Sequence, residues 1–327
     1  MIIDKIIFER GGRMQMIILI ISIILLCLLI LTSWILSNIL LKPKIISNEE
    51  LFQREKANGR IDSKWYDTLE KKEFNIESRY GYTLSCQLIN NELSSEQFTK
   101  KKEKIKIAII CHGYTSGKYG SVVYSRLYLK RGITVLTYDH RNHGLSGKAF
   151  TSMGYYEKFD LQTVIDWCYE NYGTNIAIVT HGESMGAATV LSHLTIDGRV
   201  RCVVSDCAYS SLRDLLKYQL KKYYHLPAFP FLPIAKIIIR LRAGFWITDV
   251  VPMKGVLSTN APILFIHGGK DTYVPYSMSQ DMYDKKPEKK EIYLVPLATH
   301  AVSILTEPLE YEKVLNAFLD KYYFEKK

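Results

Sequence analysis

The chain has 327 residues, 47% of them hydrophobic and 23% charged. That balance supports one large or two ordinary domains with a buried core, and it excludes intrinsic disorder, collagen and low-complexity scaffolds. Six cysteines are too few for a disulfide-stapled module, and a net charge of +10 favours an anionic neighbour such as a phospholipid surface or nucleic acid.

Residues 1–13 form a short N-terminal flank. From Met14 to Leu41 no side chain is charged, and between Met16 and Leu31 only Ser22 interrupts a run of Ile, Leu, Met and Cys. A helix of that length spans about 42 Å, more than the ~30 Å hydrocarbon core requires, so residues 14–41 are expected to be a single transmembrane anchor. Trp34, Ser37 and Asn38 near its end suit the interface. A cleaved signal peptide would need a shorter apolar stretch followed by a small-x-small site, and none follows. Lys5, Arg10 and Arg13 precede the span and Lys42, Lys44, Arg54 and Lys56 follow it, a near balance that leaves the membrane side open.

Residues 42–71 are polar and read as a linker or a short helix leading into a folded body over 72–327. Phe74–Ser78 and Thr83–Leu88 alternate apolar and polar around Tyr80-Gly81-Tyr82, the pattern of a hairpin. Residues 90–104 read as a polar loop ending in a lysine cluster, a solvated basic run. Short apolar runs follow at Ile105–Cys111, Ile133–Tyr138, Ile176–Thr180, Val200–Ser205, Ile263–Ile266 and Glu291–Val295. Strands apolar on both faces belong to a mostly parallel sheet covered by helices. The segments Tyr119–Arg131, Tyr156–Tyr172 and Met185–Thr195 are long enough for crossover helices. Residues 208–260 break this alternation with many aromatics and prolines, such as Tyr223–Pro233, and basic residues at Lys217, Lys221, Lys222, Lys236, Arg240 and Arg242. This reads as a cap insertion that shapes an apolar substrate pocket, with an ordinary helical excursion as the plainer alternative.

The sharpest signal is Gly182-Glu183-Ser184-Met185-Gly186, directly after a predicted strand and before a helical run. Gly-x-Ser-x-Gly alone arises by chance in roughly one chain in ten of this size. Its strand–motif–helix setting is what a nucleophile elbow needs, with Gly182 and Gly186 letting a strained turn pass. A serine hydroxyl is a weak nucleophile until a base takes its proton, and His300 after the last strand supplies one. Asp271, a few residues beyond a strand end, would hold the imidazole tautomer and stabilise its charged form. Two donors are needed for the oxyanion. The backbone N–H of Met185 is one, and that of Tyr114 in the loop after Cys111 is the other candidate, each worth about 10²–10³ in rate.

On these residues the chain resembles the α/β-hydrolase superfamily, within the broad group of bacterial membrane-anchored hydrolases related to serine aminopeptidases and monoacylglycerol lipases. The resemblance is carried by His112-Gly113-Tyr114, Asp139–Ser146, Gly182–Gly186, Asp271 with Val274-Pro275, and His300, and it spans Phe74 to Phe324. It implies an eight-stranded, mostly parallel sheet with helices on both faces, and triad residues at the carboxyl ends of strands. Asn142 departs from it, since relatives commonly carry Gly there.

The expected activity is therefore cleavage of an ester or other acyl bond of a lipid-like or acylated small molecule by a membrane-anchored serine hydrolase. A serine aminopeptidase-like peptidase and a catalytically silent hydrolase scaffold are the rivals. Asp206 is an alternative triad acid, Glu183 beside the nucleophile reads as structural, and His112 and His181 as orienting strand-end loops. His140 and His143 lack the companions of a metal site. No metal, nucleotide or flavin is implied: Gly113–Lys118 lacks the spacing of a phosphate loop, and no nucleic-acid module is recognisable.

Overall fold

The computed structural model describes residues 2–90 and 104–324, with backbone alone over 2–12. The expected polar loop therefore lies almost wholly outside the described residues, as do the side chains of Lys5 and Arg10.

Helix α1 runs Ile2–Leu41. Its stretch Arg13–Leu41 has mean hydropathy 3.1 and 6% of its most apolar window buried, which makes it long and apolar enough to cross a membrane. Among its described side chains, those of the last turns enter the body: Ser33, Ser37, Leu40 and Leu41 are buried.

The segment read as a linker or a short helix holds two helices, α2 (Asn48–Ala57) and α3 (Ser63–Asp67). Ser47 and Glu50 form a reciprocal capping box that satisfies two orphan N–H groups at the start of α2. Leu51 and Glu55 on α2 are buried against the body.

The strands are β1 (Glu70–Glu77), β2 (Thr83–Asn90), β3 (Ile105–Cys111), β4 (Thr134–Tyr138), β5 (Ile176–Glu183), β6 (Cys202–Asp206), β7 (Ile263–Gly268) and β8 (Lys290–Val295). They form one eight-stranded sheet in the order β1-β2-β4-β3-β5-β6-β7-β8. β1, β2 and β4 pair antiparallel, and every other pairing is parallel. The connecting helices are α4 (Val122–Leu129), α5 (Glu157–Tyr172), α6 (Met185–His193), α7 (Leu212–Tyr223), α8 (Ala228–Ala243), α9 (Pro252–Ser258), α10 (Ser277–Lys285), α11 (Ser303–Thr306) and α12 (Pro308–Tyr322).

Both faces of the sheet are covered, which explains the continuous apolar strands. Ala108 and Ile110 of β3 pack with α4 and α12, while Ile107, Ile109 and Cys111 pack with α5 and α6. A third apolar cluster joins Leu40 and Leu41 of α1 to α7 and α8, so these two helices pack on the end of α1. The six cysteines are free, all but Cys27 buried.

β5 runs three residues further than its apolar pattern suggests, through His181-Gly182-Glu183, in register with Val204-Ser205-Asp206 of β6. Asn142, where relatives commonly have Gly, sits at φ +59°, a left-handed conformation that Asn tolerates better than most residues.

Candidate active site

Because β5, β7 and β8 are parallel, their carboxyl ends lie at one edge of the sheet, where ligands of open α/β sheets bind. Ser184 follows β5 directly, Asp271 lies three residues beyond β7, and His300 lies five beyond β8.

Ser184 stands at φ +54°, ψ −111°, a strained conformation for a residue with a side chain, held by its N–H donating to Asp206 O at 2.8 Å. The strained turn permits no bulk beside it. A Cβ on Gly182 would lie 2.3 Å from the Gly186 backbone, and one on Gly186 would lie 2.0 Å from the carbonyl oxygen of Cys111.

The three side chains meet. Ser184 Oγ is 2.9 Å from His300 Nε2, and His300 Nδ1 is 2.7 Å from Asp271 Oδ2. An ionised carboxylate only accepts, so Nδ1 carries the proton and Nε2 accepts from the serine hydroxyl. Asp271 Oδ1 accepts from the N–H groups of Tyr273 and Val274 at 2.8 and 2.9 Å. His267 Nε2, four residues earlier, lies 3.2 Å from Asp271 Oδ2. Burial pushes the Asp271 pKa up, but hydrogen bonding to His267, His300 and Val274 outweighs it and holds the carboxyl well below its ordinary value.

Asp206 does not reach His300. Its Oδ2 accepts from Tyr311 and Tyr124 hydroxyls at 3.0 and 3.4 Å, and burial together with the nearby Glu183 charge raises its pKa to about 7. Beside it His181, read from sequence as a loop-orienting residue, lies in the core between the hydroxyls of Tyr128 and Tyr311.

The expected oxyanion donors are the backbone N–H groups of Met185, next to the serine, and of Tyr114. Neither the Tyr114 nor the Met185 backbone N–H is committed to a turn, loop or capping hydrogen bond among the described residues. The preceding Gly113 comes so close that a Cβ there would lie 3.5 Å from that of Ser184. His112 Nε2 accepts from the His140 N–H at 2.9 Å and His143 Nε2 from that of Thr115 at 3.3 Å, which sets the path of this loop. Asp139 accepts from the N–H groups of Lys118 and Leu145 at 2.7 and 3.0 Å, closing the neighbouring loop. The ammonium of Lys118 is buried on Glu73 at 2.5 Å.

Arg60, in the segment before the sheet, was not singled out by sequence reasoning. Its Nη1 donates to Ala301 O, next to His300, at 2.8 Å. Its Nη2 donates to Gly120 O at 3.0 Å and to Glu183 Oε2 at 2.5 Å, and its Nε pairs with Glu55 at 3.0 Å. Desolvation disfavours the charge, but Glu183, Tyr124 and Glu55 outweigh it and raise the pKa. Arg60 thus ties α2, the elbow and the histidine loop together.

Cys207, Asp271 and His300 place donor atoms within 4.8 Å of one another. The set does not suit a metal: burial and the nearby Asp206 charge keep the thiol protonated, and the carboxylate and imidazole are bonded to each other.

Beside the site, the end of α1, helices α7 and α8, Tyr114 and Tyr273 line a cavity of about 140 Å³. The ring of Tyr273 lies 5.0 Å from that of His300. Among the described residues, no charged side chain lines this cavity.

A family model described as serine aminopeptidase, S33 matches residues 102–225. The uncharacterized protein YqkD of Bacillus subtilis is 34% identical over 290 residues, covering 88% of this chain and 91% of its own length. Among solved structures, the esterase Pf2001 of Pyrococcus furiosus is similar with TM-score 0.65 at 23% identity, covering 86% of this chain and 98% of its own. An acylaminoacyl peptidase of Pyrococcus horikoshii is similar with TM-score 0.59 at 16% identity, covering 81% of this chain and 44% of its own. At these identities the two structures speak for the fold alone.

Proposed function

Because the chain belongs to the α/β-hydrolase superfamily, we propose that it is a membrane-anchored serine hydrolase that cleaves an ester or other acyl bond of a lipid-like or acylated substrate. The observation that carries this reading is the unbroken relay from Asp271 through His300 to Ser184.

Ser184 Oγ attacks the acyl carbon while His300 Nε2 takes its proton, and Asp271 stabilises the imidazolium that results. The Tyr114 and Met185 N–H groups receive the oxyanion. His300 then returns the proton to the leaving group, leaving an acyl-serine. A water, deprotonated by the same imidazole, releases the acid and restores the serine. Helix α1 holds the domain at the bilayer.

A peptidase is the second reading, favoured by the serine aminopeptidase description of the matching model. A free α-amine calls for a carboxylate to receive it, and among the described residues the cavity beside His300 offers none, which favours the acyl reading. The test is fluorophosphonate labelling and turnover of p-nitrophenyl esters of two to sixteen carbons by the full-length protein. Ser184→Ala abolishes both. Undiminished labelling of the variant would place the nucleophile elsewhere, and no turnover of any ester by the parent would favour the silent scaffold.

A further inference from the structure

Building on the serine-hydrolase reading, we propose that the last turns of α1 form one wall of an acyl-chain site, so that the membrane helix shapes the substrate pocket as well as tethering the enzyme. The occupant is the acyl chain of a bilayer lipid, carried to the serine between α1 and the cap.

The lining argues for a hydrocarbon chain. Leu36 and Leu40 of α1 face Leu220 of α7 and Leu232, Ala235 and Ile239 of α8, and no charged group among the described residues interrupts them. Its polar side chains are Ser37, Gln219 and four tyrosines, of which Tyr273 has its ring 5.0 Å from that of His300. A mostly apolar cavity with a few polar groups, one of them beside the reacting centre, is a usual form of a site for an amphiphile.

Helix α1 is fixed there by specific bonds. Arg242 of α8 donates to Ser37 Oγ and Asn38 Oδ1, each at 2.7 Å, and its guanidinium lies 4.1 Å from the Trp34 ring centre. The Leu41 carbonyl accepts from the Thr151 N–H at 3.1 Å. The carbonyl of Ile39 would find its helical donor at residue 43, which is proline and has no N–H. The hydroxyl of Tyr114 donates to it instead. The same residue whose backbone is the proposed oxyanion donor therefore holds the end of the membrane helix.

The source is argued from the surface. Phe229, Ile237 and Leu241 of α8 are exposed on the cap helix that packs along α1, whose own Ile35 and Ile39 are exposed. Lys236 and Arg240 on α8 supply positive charge suited to anionic headgroups. Apolar side chains rimmed by cations mark a surface that meets lipid.

The test uses full-length protein in detergent, with Leu36→Trp and Ala235→Trp placing an indole in the cavity from opposite walls. For each variant the ratio of kcat/KM for the sixteen-carbon p-nitrophenyl ester to that for the four-carbon ester is expected to fall at least tenfold. An unchanged ratio in labelled, folded protein, with Ser184→Ala still inactive on both esters, overturns the pocket while the triad stands. Turnover surviving in Ser184→Ala defeats the underlying reading instead. If Ala235→Trp fails to label with a fluorophosphonate, Leu36→Trp decides alone, since Leu36 is partly exposed on α1. In a second arm, Ser184→Ala protein in phosphatidylglycerol vesicles receives a phospholipid with a photoreactive acyl chain. Cross-links within residues 36–40 and 216–239 support the proposal. Cross-links confined to the rest of α1, or obtained only from a free fatty acid in solution, refute the bilayer as source.

Discussion

Replacing Arg60 with methionine removes a charge and five donors while keeping an unbranched stem of similar length. In the folded chain this guanidinium pairs with Glu183 at 2.5 Å and Glu55 at 3.0 Å, and it donates to the carbonyls of Ala301 and Gly120. Both carboxylates are nearly buried; the variant leaves Glu183 without its cation, while Glu55 keeps Arg54 at 2.9 Å. Breaking a buried pair from one side costs about 3–5 kcal/mol. At about 2–4 °C per kcal/mol for a domain of this size, the unfolding midpoint falls by roughly 6–20 °C. The kinetic effect follows from the Ala301 contact, because the loop that carries His300 loses its charged donor. A displacement of about 1 Å in a reacting group costs up to about 10² in rate, so kcat falls by about 10- to 100-fold with KM little changed. Arg60→Lys keeps the charge without the fork, and recovers part of the stability and less of the rate. The assay is thermal unfolding of the detergent-solubilised full-length protein beside ester turnover at 20 °C below its midpoint. A midpoint within 2 °C of the parent and kcat within twofold would refute the claim that Arg60 ties the elbow to the histidine loop.

Asp271→Asn preserves the shape of the relay but presents an amide to His300 Nδ1. The wrong tautomer then faces Ser184, and kcat drops by about 10⁴, as read by ester hydrolysis; a loss under tenfold would assign the acid role elsewhere. Asp206 gives a pH prediction. Its pKa in the folded chain is about 7 because of burial and the Glu183 charge. The unfolded value is about 3.9, so the folded state binds more protons between pH 4 and 7 and stability falls as pH rises, by up to about 1.4 kcal/mol per unit from this group. Asp206→Asn keeps an acceptor for the Tyr311 and Tyr124 hydroxyls and flattens that slope, which thermal midpoints from pH 4.5 to 7.5 detect as a smaller decline than in the parent. An identical slope in both proteins would show that another group carries the linkage.

The parallel core strands are readable in the residue pattern because burial on both faces demands unbroken apolar runs, as Ile105–Cys111 and Ile263–Ile266 illustrate. The elbow is readable for another reason: its strain is local, and Gly182, Ser184 and Gly186 meet it within five residues. The last three residues of β5 escape such reading. His181 and Glu183 are polar yet buried, and their partners Tyr128 and Arg60 are 53 and 123 positions away.

The same distance hid the most consequential contacts around the site. The stretch before β1 looks like a linker or a short helix because its few buried residues, among them Leu51, Glu55, Ile61 and Tyr66, and the nearly buried guanidinium of Arg60 become interior only when the sheet supplies a surface for them. Arg60 reaches Ala301 across 241 positions, and Tyr114 reaches Ile39 across 75. Local periodicity and turn chemistry encode which segments become strands, helices and the strained serine turn. They carry no record of which distant side chain will neutralise a buried charge or cap a carbonyl left open by a proline. Such pairings exist only once the chain has closed, because burial is what makes an unpaired group costly and so selects its partner.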